Sequence, residues 1–186
     1  LTGARIGGAD AIWAGLADFF VPSSRLDDLR AALMLAEEPT EVIEEFVEPP
    51  GESELAAKQP MIDRCFDAGS VEAILEALKA DADPKGAEIA AMFDGKSPTS
   101  LKLSHRLLTL SPDPTIENAL HWEFRASQGC MAGHDFFEGI RALLIDKDNT
   151  PNWQPDNLAD VSEAMIEAHL AEPAGGDLPL PLIKGE

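Results

Sequence analysis

Three dipeptides, Asp83-Pro84, Ser97-Pro98 and Asp113-Pro114, most constrain how this 186-residue chain can fold. Each places a side chain that commonly caps helices directly before a proline. Proline suits the first position of a helix, because its φ angle is already helical and its missing N–H would have no partner there. The dipeptides therefore predict three successive helices, over residues 84–93, 98–110 and 114–128, and Gly129 is expected to end the third.

Apolar residues at helical spacing predict helices in much of the remaining chain. One is expected over residues 9–16, one from Ser23 or Ser24 onward, and one over 70–80. A short extended piece at residues 18–21 is the one segment that resembles a strand. The sequence therefore predicts a mainly α fold with at most one short strand.

Two further helices are expected near the end of the chain. The first covers residues 134–146, and its apolar positions predict an inward face of Phe136, Ile140, Leu143 and Leu144. Asp156 or Asn157 is expected to cap the second. The Pro-rich segment after Pro173 is not compatible with a helix.

Charge restricts the partners of this chain. It has 14 Lys and Arg against 34 Asp and Glu, so its net charge is −20. A field of this sign repels phosphate, and we expect no nucleic-acid or membrane partner. An anionic ligand would need local cations. The best candidate site is the start of the helix at Pro98, with the cations Lys96, Lys102, His105 and Arg106. Arg141 and Lys147, with the segment 146–149 (Asp-Lys-Asp-Asn), form a second candidate.

The two cysteines, Cys65 and Cys130, form no CxxC pair, which suits a reducing compartment, and we expect a cytoplasmic protein. Cys130 and Glu138 each lie four positions from His134, a spacing that can bind a metal on a helix. Glycines interrupt this segment and a third ligand is not obvious. We therefore predict no metal site.

The sequence lacks the catalytic and nucleotide-binding motifs of several enzyme classes. The sequence has no G-x-S-x-G elbow, no G-x-G-x-x-G fingerprint and no Walker loop. Glu123 and Glu138 have apolar neighbours, which can raise the pKa of a carboxyl group. Arg125 and Arg141 lie nearby, and we favour structural ion pairs for both glutamates.

Three stretches of the sequence resemble a known superfamily. Residues 1–22 (LTGARIGGADAIWAGLADFFVP) resemble the crotonase, or enoyl-CoA hydratase/isomerase, segment that follows the catalytic residues. Residues 97–102 (SPTSLK) and 135–155 (DFFEGIRALLIDKDNTPNWQP) resemble the 3-hydroxyisobutyryl-CoA hydrolase branch. The resemblance implies the helical C-terminal portion of a crotonase-type fold. It also implies three parts: an edge of the crotonase core (1–35), an acidic linker or insertion (36–60) and a C-terminal helical domain (61–186).

The resemblance implies hydrolysis of a branched 3-hydroxyacyl-CoA thioester in valine breakdown. In that branch the oxyanion hole and the catalytic carboxylates precede the segment that residues 1–22 match. The chain begins Leu-Thr-Gly without a Met, so we expect a fragment that contains no catalytic residue and is inactive alone. Two alternatives stay open: an enoyl-CoA hydratase or isomerase fragment, and a helical oligomerisation or partner-binding module.

The resemblance also suggests ligand contacts. Lys147 is the expected contact to the nucleotide of coenzyme A, which enters as part of the substrate and not as a separate cofactor. Phe136 and Phe137 are candidates for the wall of the pantetheine or acyl channel, with core packing as the alternative. Self-association is expected as well, because Leu16, Phe19 and Phe20 are expected to be exposed.

Overall fold

The computed structural model describes residues 1–110 and 115–180. Within these ranges the chain forms α-helices and no β-strand, which confirms the mainly α prediction. The helices are α1 (Gly8–Trp13), α2 (Leu26–Leu33), α3 (Pro39–Glu44), α4 (Glu54–Phe66), α5 (Val71–Ala80), α6 (Lys85–Ala91), α7 (Pro98–Thr109), α8 (Ile116–Ala132), α9 (His134–Ile140) and α10 (Glu163–Leu170). Shorter turns are 3₁₀ at Ser23–Arg25 and Leu158–Asp160 and π-helical at Arg141–Ile145.

The chain divides into two compact units. The N-terminal unit is Gly3–Asp67, and the C-terminal unit is Ala68–Glu186 together with Leu1–Thr2. The three-part division at residues 35 and 60 remains a prediction.

Serine and threonine side chains begin five of the helices. In each case the hydroxyl accepts a hydrogen bond from the backbone N–H three residues later, which satisfies a donor that the helix leaves unpaired. These residues are Ser53, Ser70, Ser97, Thr115 and Ser162. The Ser97-Pro98 start is confirmed, and Asp83 accepts from the Lys85 N–H just before α6. The Asp113-Pro114 dipeptide lies outside the described residues.

Helix α4 in the N-terminal unit is absent from the sequence prediction. Pro60 lies inside it, and an internal proline removes one helical hydrogen bond. Met61 and Cys65 are buried on one face, and this packing stabilises the helix in spite of the proline. Asp10 of α1 joins the two helices, because its carboxylate accepts from the Ser53 hydroxyl and from the Leu55 N–H.

The extended piece at residues 18–21 forms no strand. Its Phe20 carbonyl accepts one hydrogen bond, from the Glu48 N–H at 3.0 Å. Leu16 and Phe19 are exposed as expected, whereas Phe20 is half-buried.

Two groups of apolar side chains form the core of the C-terminal unit. Val71, Ile74 and Leu78 make the buried face of α5. A second cluster joins α7, α8 and α10, with Leu103, Ala126, Val161, Ile166 and Leu170 at its centre. This cluster fixes the direction of α7, whose first turn leads into the candidate site.

Gly129 does not end α8, contrary to the prediction. The helix continues to Ala132, and Gly133 lies at its end. A Cβ atom on Gly129 would lie 2.7 Å from the backbone of His169. The glycine is needed because α10 passes this close, not because the helix stops there.

The predicted inward face of residues 134–146 is also wrong. Helix α9 ends at Ile140, and the next turn is a π-helix in which the Asp146 N–H donates to the Arg141 carbonyl. This wider turn changes the helical register, so Ala142 is buried while Leu143 and Leu144 are 63 % and 62 % exposed.

The start of the last helix differs from the prediction as well. Asn157 caps the short 3₁₀ turn at Leu158–Asp160, and Ser162 caps α10. Among the residues that the structure describes, no helix is both long and apolar enough to cross a membrane.

Candidate functional site

A cavity of about 540 Å³ lies in the C-terminal unit. The first turns of α7 form one wall, α9 and the π-helical turn form the second, and the loop after that turn forms the third. Apolar side chains dominate, and a few polar groups lie among them, as in sites that bind small organic ligands. The polar lining side chains are Lys96, Ser97, Ser100, Ser104 and Asn149.

Ser97 joins the first two walls. Its hydroxyl accepts from the Ser100 N–H at 3.1 Å and donates to the Asp135 carboxylate of α9. Asp135 also accepts from the Gln154 N–H at 2.9 Å. One carboxylate therefore holds together the start of α7, the start of α9 and the loop at residue 154. The sequence predicts that a ligand anion binds at the start of α7, but the Asp135 carboxylate lies there instead.

Trp153 fixes the third wall. Its indole N–H donates to the Gly95 carbonyl at 3.0 Å, and its ring lies 3.3 Å from the position of a Cβ atom on Gly139. A larger residue at 139 would push against the ring, so this glycine lets the loop approach α9 closely. The position of Trp153 between prolines predicts that it anchors this loop, and the structure supplies its partners, Gly95 and Gly139.

Arg141 is the most highly bonded cation of the site. It pairs with Glu138 through two parallel hydrogen bonds of 2.8 and 2.9 Å, and with Asp146 and Asp148 at 2.7 Å each. The Arg141 guanidinium and the Asn152 N–H lower the pKa of Glu138 to about 2. The ion pair predicted for Glu138 with Arg141 is confirmed. The ion pair predicted for Glu123 with Arg125 is wrong, because Arg125 pairs with Asp177 instead.

Of the three predicted ligand contacts, one lines the cavity and two lie outside its lining. Phe136 lines the cavity, and Phe137 lies beside it in an edge-to-face contact with ring centroids 5.4 Å apart. They are 42 % and 58 % exposed, so neither is a core residue. Lys147 is exposed in the loop of the third wall, and Asn149, two positions later, lines the cavity.

The predicted cation cluster is divided between two places. Lys96 lines the cavity, whereas Lys102 pairs with Glu72 at 2.7 Å and Arg106 with Glu167 at 3.0 Å. With His105, the latter two cations line a separate pocket of about 230 Å³. Within residues 1–110 and 115–180, neither Lys96 nor Lys147 forms an ion pair, which leaves both charges available to a ligand.

Groups that hold metals are not assembled in the described part of the chain. No three His, Cys, Asp or Glu side chains there could bind one ion. Burial is the main cause that raises the pKa of the Cys130 thiol, and the Asp135 charge adds to it. A thiol in this setting is a weak nucleophile at neutral pH.

A family model of enoyl-CoA hydratase/isomerase matches residues 1–170. The chain belongs to the enoyl-CoA hydratase/isomerase family. Within this family it is similar to the mitochondrial 3-hydroxyisobutyryl-CoA hydrolase of Danio rerio, at 38 % identity over 180 residues, and to that of Homo sapiens, at 36 % over 188 residues. The matches cover 90 % and 96 % of this chain but 46 % and 49 % of these relatives. The chain thus spans about half the length of the relatives it matches.

Solved structures of the family show the same arrangement of helices. A carnitinyl-CoA dehydratase from Mycobacterium thermoresistibile superposes with a TM-score of 0.85 at 32 % identity, covering 94 % of this chain and 50 % of that one. An enoyl-CoA hydratase from Rhodobacter sphaeroides 2.4.1 gives 0.83 at 36 %, covering 97 % and 52 %. The family model and these relatives confirm the resemblance stated from the sequence motifs. The hydrolase relatives are named as mitochondrial, and the cytoplasmic location stays a prediction.

Proposed function

We propose that this chain is the helical part of a CoA-thioester hydrolase that acts on a branched 3-hydroxyacyl-CoA, as in valine breakdown. Its role is to bind and cover the substrate, and the groups that break the thioester belong to the remainder of the enzyme. The similarity to 3-hydroxyisobutyryl-CoA hydrolases along nearly the whole chain supports this branch of the family.

The cavity between α7, α9 and the third wall is the observation that carries the proposal. Its apolar lining suits the acyl group and the aliphatic parts of pantetheine. The hydroxyls of Ser100 and Ser104 offer hydrogen bonds to the pantetheine amides. By enclosing this part of the substrate, the walls exclude water and hold the ligand in one orientation.

Phosphate binding is the second requirement for a CoA ligand. In a chain of net charge −20, an anionic nucleotide is attracted only where cations lack acidic partners. Lys96 at the cavity and Lys147 in the adjacent loop are such cations. We assign Lys147 to the CoA nucleotide, with Phe136 in the wall of the channel and Phe137 at its edge.

Two measurements on the full chain test this function. Calorimetric titration with CoA should show saturable binding that weakens as salt is added, because ionic strength screens the lysine–phosphate attraction. Thiol release from 3-hydroxyisobutyryl-CoA should remain at the uncatalysed rate. Absence of CoA binding would contradict the binding role, and hydrolysis at an enzymatic rate would contradict the absence of catalytic groups.

An enoyl-CoA hydratase or isomerase is the alternative within the family. The dehydratase and hydratase structures give it support, because they superpose well on this chain. Titrations with 3-hydroxyisobutyryl-CoA and crotonyl-CoA separate the two. The hydrolase proposal expects tighter binding of the branched hydroxyacyl ligand, whereas tighter binding of the unsaturated ligand supports the hydratase.

Self-association is a second function that a specific observation favours. Leu143, Leu144 and Ile145 project from the π-helical turn and are 63 %, 62 % and 69 % exposed. Contiguous exposed apolar side chains are typical of surfaces that bind other proteins. Sedimentation equilibrium should show an oligomer that Ile145→Glu dissociates, because Ile145 is exposed and does not line the cavity. A monomer at all concentrations would contradict this function.

A further inference from the structure

Two residues of the loop after the π-helical turn have unusual backbone angles. Lys147 has φ 57° and Asn149 has φ 54°, which places both in the left-handed region. Residues with a Cβ atom are disfavoured there, asparagine less than lysine. Such a conformation persists only where the surrounding structure imposes it, and it is often found where a side chain must be held for a ligand.

Arg141 supplies much of that constraint. Its guanidinium binds the carboxylates of Asp146 and Asp148, on either side of Lys147, and donates to the Thr150 carbonyl at 3.2 Å. Its other side is anchored on Glu138 of α9 by the two parallel hydrogen bonds. The loop is therefore attached to the helix on both sides of Lys147 through a single side chain.

Backbone contacts complete the attachment. The Asn149 N–H donates to the Ala142 carbonyl at 3.1 Å, and the Asn152 N–H donates to Glu138 at 2.8 Å. Asn149 lines the cavity, so the residues that Arg141 holds include both the exposed lysine and part of the third wall.

We propose that Arg141 is a positioning residue that fixes the loop so that the Lys147 ammonium faces the phosphates of a CoA ligand. The inference rests on the proposed function. Arg141 does not itself bind the ligand, because three carboxylates already occupy its donors. It acts by holding Lys147 in a disfavoured conformation before the ligand arrives, which lowers the ordering cost of binding.

Binding of two ligands to the full chain tests this inference. CoA carries the nucleotide phosphates, and pantetheine is the same ligand without the nucleotide. In calorimetric titrations, Arg141→Met should raise the Kd for CoA about tenfold, because misplacement of a binding group is costly. The Kd for pantetheine should change by less than about twofold, since α7 and α9 form most of its site.

Two further variants strengthen the test. Arg106→Met removes an arginine that is also ion-paired but lines the other pocket, and it should leave both Kd values unchanged. Asp148→Asn weakens one of the Arg141 contacts at a partly exposed position. It should raise the Kd for CoA about threefold, even if Arg141→Met folds poorly.

The outcomes are distinct. If the wild-type chain binds no CoA, the proposed function fails and this inference fails with it. If the wild-type chain binds CoA but both loop variants bind it equally well, only the inference is overturned. If Arg141→Met weakens CoA and pantetheine equally, Arg141 has a general structural role and the inference is also overturned.

Discussion

The Ser97 hydroxyl donates to the Asp135 carboxylate while it accepts from the Ser100 N–H. One side chain therefore caps α7 and connects it with the start of α9, 38 positions away. Ser97 is 6 % exposed, so water does not replace these bonds easily. The relative position of two walls of the cavity depends on this residue.

Ser97→Ala should lower the free energy of unfolding by about 0.5–2 kcal/mol, the usual cost of losing an N-cap. Urea unfolding measures this change. Ser104→Ala, at an exposed position of the same helix, is the matched control and should be nearly neutral. Equal stability of the two variants would show that Ser97 does not hold α7.

The Glu138–Arg141 pair should make stability depend on pH. The pKa of Glu138 falls from its ordinary 4.5 to about 2 in the folded chain. The pair therefore stabilises fully above pH 4.5, and this stabilisation is lost as the pH falls toward 2, because the unfolded chain takes up the proton first. Glu138→Gln should melt several degrees below wild type at pH 7, and the difference should shrink between pH 4.5 and 2.

Glu76→Gln is the control for this measurement, because Glu76 is exposed on α5. It should change the melting temperature little at either pH. A Glu138→Gln difference that stays constant from pH 7 to pH 2 would contradict the role of the charged pair.

Gly129→Ala should destabilise the chain despite the higher helix propensity of alanine. The propensity gain is up to about 1 kcal/mol in an exposed helix. The added Cβ atom would lie 2.7 Å from the His169 backbone, and overpacking of this kind costs about 1–3 kcal/mol. Because α10 must move, we expect a net loss in urea unfolding.

Gly175→Ala is the matched control, since nothing lies within 4 Å of its added Cβ atom. It should be close to neutral. A stabilised Gly129→Ala variant would show that α10 does not pack against α8 as described.

Leu78→Ala should cost about 2–5 kcal/mol, because Leu78 is 0 % exposed and its removal leaves a cavity in the core. Leu108→Ala removes the same group from α7 at a position 73 % exposed, and its effect should stay within about 0.5 kcal/mol. Similar losses in the two variants would contradict the assignment of the core.

Local patterns were sufficient for part of the fold. A helix start is predicted at Ser97-Pro98 and a helix over residues 70–80, and the structure has α7 begin at Pro98 and α5 cover Val71–Ala80. These features depend on a few neighbouring residues, which is why a single sequence contains them.

Other features depend on partners distant in the chain. Local rules predict that Gly129 ends a helix, but α8 continues through it. A glycine is needed at this position because α10 passes close to it. The π-helical turn changes the register at Arg141, so a regular helical period assigns Leu143 and Leu144 to the wrong face. The first part of α4 (Glu54–Phe66) falls in the segment 36–60 that the sequence assigns to an acidic linker.

The candidate site shows the same limit. Phe136 was identified through a family resemblance, and it lines the cavity. Asn149 belongs to the segment 146–149 that the sequence offers as an anion site, and it also lines the cavity. Ser104 lines the cavity but has no local signal in the sequence. The ion pairs of Lys102 and Arg106 required knowledge of α5 and α10 as well.

A substitution that fills the cavity shows whether CoA binds there. Ser104→Trp places a large side chain at an exposed position of α7 that lines the cavity. Ser127→Trp is the control, because it places the same side chain at an exposed position of α8 that does not line the cavity. In calorimetric titrations, Ser127→Trp should bind CoA as the wild type does, whereas Ser104→Trp should bind CoA at least about tenfold more weakly at an unchanged melting temperature. Wild-type affinity in Ser104→Trp would contradict the claim that this cavity receives the ligand.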